Sequence, residues 1–148
     1  MDSGKNKFLI IGSIGSAIAA LAHLGCIIFG GDWYRFFGAG EQMAKMAEDG
    51  HWYPTVVTSI IVLVLSLWSL YGLSGAKVLF RLPLLKLGLI VISLIYLVRG
   101  VAFVAIMPIF PENSITFWLV SSGICLTMGI LYSVGTFQSW AKLSVKNA

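Results

Sequence analysis

Four long apolar runs dominate this chain and leave it few folds to choose from. They cover residues 8–30, 53–73, 85–107 and 115–137. Each is about 21–23 residues long, and about 20 residues of α-helix cross the ~30 Å hydrocarbon core of a bilayer. Inside lipid every backbone N–H and C=O must find its partner within the protein, so runs of this length are predicted to be helices. None shows the alternation of apolar and polar residues that marks a barrel strand. The predicted fold class is an all-α membrane protein, a four-transmembrane-helix bundle forming one domain over residues 1–148.

Composition supports this reading. Of 148 residues, 58% are hydrophobic and 11% charged, whereas a soluble domain carries about 25% charged residues. The net charge of +4 does not indicate a nucleic-acid partner, because the basic residues sit at the ends of apolar runs rather than on a soluble face. Membrane lipid is the expected surrounding. Cys26 and Cys125 both lie in apolar runs, which argues against a disulfide framework. No CxxC, HExxH, GxGxxG or GKS/T pattern occurs, so no metal and no cofactor is expected. The first run continues through Phe29, longer than the apolar core of a signal peptide, and a retained first helix is expected.

Basic residues set the expected orientation. Lys5, Lys7, Lys77, Arg81, Lys86, Lys142 and Lys146 fall on one side, and Arg35 and Lys45 on the other. The richer side is cytoplasmic by the positive-inside rule. The expectation is a multi-pass protein of a bacterial inner (plasma) membrane with both termini in the cytoplasm. Trp33, Trp52, Tyr53, Phe110 and Trp118 then mark the outer interface, and Trp140 the inner one.

The first outer connection, residues 30–51, is unusual. Its first half is aromatic and its second half, Glu41 to Glu48, holds good helix formers with Glu41 and Lys45 spaced i, i+4. A short amphipathic helix over 41–48 is predicted at the outer mouth of the bundle, resting on headgroups or closing a pocket.

Small and polar residues mark helix contacts in membranes. Three stripes fit this rule: Gly12, Ser16, Ala19, His23 and Cys26; then Thr55, Ser59, Val62, Ser66, Ser69 and Gly72; then Ser122, Cys125, Gly129 and Tyr132. Close packing alone accounts for them. Only His23 and Arg99 are ionisable within the apolar runs. A charge there costs about 2.5 kcal/mol or more, so Arg99 needs a partner. On straight helices Arg99 lies roughly 13 Å from Pro108 and His23 roughly 10 Å from Gly30, close to one depth in the outer leaflet. Thr58, Ser59, Ser121 and Ser122 lie at similar depth, and Tyr96 is one turn from Arg99. The expected anionic partner of Arg99 is Asp32, Glu41, Glu48, Asp49 or a ligand.

These residues weigh against several chemistries. His23 and His51 differ in depth and do not suit bis-histidine haem. His23, His51 and Glu41 lack a metal signature. Proton-coupled transport normally uses a membrane carboxylate, and the runs contain none. Cys26 is i+3 from His23, but a cysteine in an apolar run is normally inert.

The stretch from Ala22-His23-Leu24-Gly25 through Gly30-Gly31-Asp32-Trp33-Tyr34-Arg35-Phe36-Phe37-Gly38-Ala39-Gly40-Glu41, followed by His51-Trp52-Tyr53-Pro54, resembles small bacterial four-helix integral membrane proteins. The layout is also similar to DoxX-like proteins, which implies a membrane redox or accessory role and transfers no site residues. The sterol-isomerase-like (EXPERA) group shares a small bundle with an interior pocket, but its acidic intramembrane residues are absent here.

The expectation for function is a non-enzymatic membrane protein that binds a small amphipathic or anionic ligand, or a membrane-protein partner, at an outer-leaflet pocket. His23, Tyr96, Arg99, Ser59, Ser122, Glu41 and His51 are the candidate ligand-binding residues, and none is assigned a catalytic role. One alternative is a small-solute transporter or channel subunit, which would require a homo-oligomer because four helices enclose little pore. Another is a lipid-modifying enzyme with His23 as acid/base and Arg99 as anion clamp.

Overall fold

A computed structural model describes residues 4–145. Among them the chain is helical with no strand. Helix α1 spans Lys7–Phe29, α2 Gly31–Phe36, α3 Glu41–Glu48, α4 Trp52–Gly75, α5 Leu85–Val101, α6 Phe103–Ile106, α7 Ile115–Gln138 and α8 Trp140–Ser144. The predicted amphipathic helix over 41–48 is α3. Polar side chains start the long helices: Asn6 accepts from the Leu9 N–H, His51 from the Tyr53 N–H, and Ser114 from the Phe117 N–H. Each satisfies one of the amides that a first helical turn leaves without a partner.

Helices α1, α4 and α7 are each long and apolar enough to cross a membrane. At 23 or 24 residues they measure about 35 Å, which exceeds the ~30 Å core. The third apolar run differs from the straight helix expected over 85–107. Helix α5 stops after 17 residues, about 25 Å. The chain then turns by 60° into α6 and a 3-10 turn over Met107–Ile109. Pro108, which has no N–H to donate, sits in that turn.

The helices run alternately up and down. Helix α1 packs mainly on α4 and also on α7, and α5 packs mainly on α7 and also on α4. Asn6, at the start of α1, donates to the Gly135 carbonyl at 3.0 Å and to Ser139 Oγ at 3.0 Å beyond the end of α7. The start of α1 and the end of α7 therefore share one end of the bundle, here the terminal end. Helices α2 and α3 cover the other, the cap end.

The centre is filled by Leu9, Leu65, Leu89, Ile92, Met128 and Tyr132. Its polar groups are paired with one another. Ser16 Oγ lies 2.8 Å from Tyr96 Oη and 3.0 Å from Tyr132 Oη, and the Tyr132 hydroxyl donates to the Trp68 carbonyl at 3.0 Å. The outer surface is apolar, with Ile18, Leu21, Leu63, Leu119 and Phe137 all exposed. A continuous apolar exterior around a paired polar centre is the surface of a helical membrane protein.

The stripe on α7 points inward at Ser122, Gly129 and Tyr132. On α4 the expected stripe is buried at Ser69 and Gly72 and half-buried at Val62 and Ser66, but it fails at the cap end, where Thr55 and Ser59 are exposed and Thr58 is buried. The helix carries small polar residues on two faces, so their spacing alone does not select one. The contact that decides is specific, a 3.0 Å hydrogen bond between Tyr34 Oη and Thr58 Oγ1.

Candidate functional site

The ion pair expected at Arg99 forms instead at Arg35. Its guanidinium holds Glu41 through two bonds, Nε to Oε2 at 2.8 Å and Nη2 to Oε1 at 2.9 Å. It also reaches Glu48, and Asp32 at 3.2 Å. Arg35 lies in the last turn of α2, and Glu41 and Glu48 begin and end α3, so one side chain clasps both cap helices. Beneath the clasp, Cys26, Tyr34 and Ala44 form a small buried apolar cluster. Gly31 packs under the Glu48 side chain, which would have to shift to admit a Cβ there. Asn113 ties the cap to the start of α7 by donating to the Gly38 carbonyl at 3.0 Å.

The clasp predicts an acid response confined to the cap. Hydrogen bonds from Arg35 hold the Glu41 and Glu48 carboxyls below the usual glutamate range. A carboxyl depressed on folding contributes its stability above the unfolded pKa, and that stability is lost as pH falls through the folded value. Hydrogen exchange of α3 amides, corrected for intrinsic rate, is therefore expected to accelerate on acidification below the usual glutamate range. Amides of α1 and α4 should not follow. Uniform protection of α3 down to pH 3 would refute the clasp as its anchor.

Arg99 lies in the last turn of α5, where its charge suits the carbonyl end of the helix dipole. It is nearer the helix end than a straight 85–107 helix would place it. Among the described residues no carboxylate pairs with it. Its Nη2 donates to Ser121 Oγ at 3.2 Å, and its guanidinium carbon sits 5.4 Å from the centre of the Trp118 ring. Three buried polar atoms on α5 and α7 have no partner among the described residues: Arg99 Nη1, Trp118 Nε1 and Ser122 Oγ. Trp118 and Ser122 are one helical turn apart on α7, both almost fully buried. Two of the three atoms can only donate, and the third is a hydroxyl.

The other candidate residues are distributed elsewhere. His23 is half-buried, and its Nδ1 lies 2.7 Å from the Ala19 carbonyl of its own helix. A carbonyl only accepts, so Nδ1 donates this bond. Tyr96 is buried in the central network with Ser16. Ser59 is on the exposed side of α4 and Glu41 is held by Arg35. His51 lines a cleft of about 300 Å³ at the cap end, between Ile27, Tyr34, Ala47 and Trp52. The fold thus groups Arg99 with Ser121 and Trp118, while Glu41 is held by Arg35, His51 lines the cap-end cleft and Ser59 is exposed. Among the described residues no set of three His, Cys, Asp or Glu side chains is arranged to hold a metal ion.

Trp118 was legible only as an interface aromatic. Its second role, a π-face for Arg99 with an N–H beside it, depends on which face of α7 meets α5. Arg35 had a clearer signal, since it is the one arginine in a connection with four carboxylates.

No family model matches the chain, no curated protein matches it, and no solved structure matches it.

Proposed function

We propose that this is a four-span membrane protein that binds the anionic headgroup of an amphiphile between α5 and α7. In this reading α5 with its bent continuation is the third span, and the terminal end faces the cytoplasm of a bacterial cell. The cap end and the Arg99 site then lie toward the outer leaflet. The observation that carries the proposal is the pair of unpartnered groups Arg99 Nη1 and Trp118 Nε1, where the Arg99 guanidinium of α5 lies over the Trp118 ring of α7.

Each buried polar group left without a partner costs about 1–3 kcal/mol. The contacts Arg99 does make are one hydroxyl and one aromatic face, the latter worth about 0.5–2 kcal/mol. A membrane arginine costs at least about 2.5 kcal/mol. A phosphate or carboxylate would accept from Arg99 Nη1 and Trp118 Nε1 together and offset that cost. Binding is favoured over conduction because Trp68, Tyr96 and Tyr132 fill the bundle centre. It is favoured over catalysis because the one hydrogen bond made by His23 goes to its own helix.

Native mass spectrometry from neutral detergent tests this reading with phosphatidylglycerol as the probe. The wild-type chain is expected to retain one more lipid than Arg99→Leu, whose affinity at this site should fall at least about tenfold, the usual effect of deleting a charged hydrogen-bond donor. Leucine is favourable in lipid, so the variant should still insert. Arg99→Lys should recover part of the binding, since it restores the charge without the fork. Equal lipid occupancy in wild type and Arg99→Leu would sink the proposal.

A further inference from the structure

We infer that the terminal end holds a second site, a cleft that seats the phosphate of an anionic glycerolipid between Arg81 and Lys86. The inference is independent of the Arg99 site, which lies toward the cap end. The cleft has a volume of about 700 Å³ and is walled by Leu82, Leu84, Leu87 and Ile90.

Both cations are held in place by α8. Arg81 donates through its two terminal nitrogens to the carbonyls of Leu143 and Val145. Lys86 donates to Ser144 Oγ at 2.8 Å, and its ammonium sits 3.5 Å over the Trp140 ring. These contacts leave the Arg81 Nε–H and further Lys86 N–H groups to donate. Holding a flexible side chain before binding lowers the entropy lost when an anion arrives.

Among the described residues the charge at this end has no carboxylate beside it. Lys5, Lys7, Lys77, Arg81, Lys86 and Lys142 lie here, whereas the side-chain carboxylates of the described residues, Asp32, Glu41, Glu48, Asp49 and Glu112, all belong to the cap end. No carboxylate of the described residues stands at this end to neutralise these cations, so an anion from outside the chain fits the charge here. Its acyl part is specified by the neighbouring surface. From Leu87 an exposed apolar stripe continues along α5 through Val91, Leu94 and Val98, at the helical spacing of one face. Headgroup and chain are thus offered one continuous surface, which a free anion would use only in part.

Native mass spectrometry in the Arg99→Leu background isolates this site. Phosphatidylglycerol is expected to bind, and matched phosphatidylcholine to bind at least about fivefold more weakly, since one net charge near basic residues changes affinity by about that factor. Replacing Arg81 and Lys86 together by glutamine should weaken phosphatidylglycerol by about 25-fold, two such factors. The pair Lys5→Gln and Lys7→Gln should change it less than about twofold. Because the Arg81 and Lys86 changes also release α8, Leu84→Asp is the second variant. Leu84 is 76% exposed and has φ 51°, a conformation that aspartate tolerates better than leucine. It leaves the α8 contacts intact and sets a carboxylate in the cleft, so binding should fall while the melting temperature holds. Undiminished binding in both the Arg81/Lys86 pair and Leu84→Asp overturns the inference. An equal loss in the Lys5/Lys7 pair overturns it too, as that result signals diffuse surface charge. Displacement of the lipid by an equimolar amount of inorganic phosphate overturns the lipid as occupant. None of these results bears on the lipid that Arg99→Leu removes.

Discussion

Tyr132→Ala is expected to cost about 3–5 kcal/mol of stability, the range for removing a large aromatic side chain from a packed core. Tyr132 is fully buried on α7 and touches all three neighbouring long helices. Its ring edge lies against Gly12 of α1 and Gly72 of α4, where any Cβ would come within about 3 Å of it, closer than ordinary packing allows. Its face stacks on Tyr96 of α5 with centroids 5.7 Å apart. The hydroxyl contributes less. It reaches Ser16 and the Trp68 carbonyl, but hydrogen bonds between membrane helices average only about 0.6 kcal/mol each. Tyr132→Phe should therefore lose about 1 kcal/mol, and packing should exceed hydrogen bonding by severalfold. Reversible unfolding in mixed micelles measures both. Comparable losses in Phe and Ala variants would show that the hydroxyl network, not the ring, joins the helices.

Gly129→Val is expected to disrupt the α5–α7 interface, at about 3 kcal/mol or above, the upper end for overpacking. The reason lies in what a side chain would strike. A Cβ at Gly129 would stand 2.9 Å from the Leu97 backbone nitrogen, and one at Gly100 would stand 3.0 Å from the Leu126 backbone nitrogen. These obstacles are main chain, so no rotamer change relieves them. Two glycines facing opposite helices let α5 and α7 approach backbone to backbone, the small-residue mode of membrane helix association. Gly123→Val is the control, because a Cβ at Gly123 meets nothing within 4 Å. Gly129→Val should lower the melting temperature sharply and also weaken lipid retention at Arg99, which sits on the same interface. Gly123→Val should do neither. A Gly129→Val chain as stable as wild type would mean that the two helices are not held at this distance.

The acid response of the cap and these two core effects differ in kind. The Arg35 clasp is half-exposed, so its effect is local. The glycines and Tyr132 act where displaced atoms have nowhere to go.

Much of the architecture was legible in the amino-acid sequence. Apolar run length alone marks α1, α4 and α7, because lipid forces any such run to satisfy its own backbone. The bounds of α3 follow from local signals, with Gly40 and Gly50 at positive φ on either side of a run of helix formers. The inward faces of α1 and α7 were readable because their small residues fall on one stripe.

Only the tertiary structure decided the rest. The turn after Val101 is not encoded by any proline or glycine at the break itself, and it moved Arg99 toward a helix end. At the cap end of α4, Thr58 rather than Thr55 or Ser59 is buried, against Tyr34 from a segment whose aromatic composition hid the short helix α2. The pairing of carboxylates with Arg35 rather than Arg99 followed from the same fold of the first connection, which brings Glu41 and Glu48 to one guanidinium before either can reach the other. Apolar run length fixes how far a helix extends through lipid, because that is a one-dimensional property of the chain. Rotation and partner choice depend on which side chains meet across helices, and a helix that is apolar on every side carries little local record of that choice.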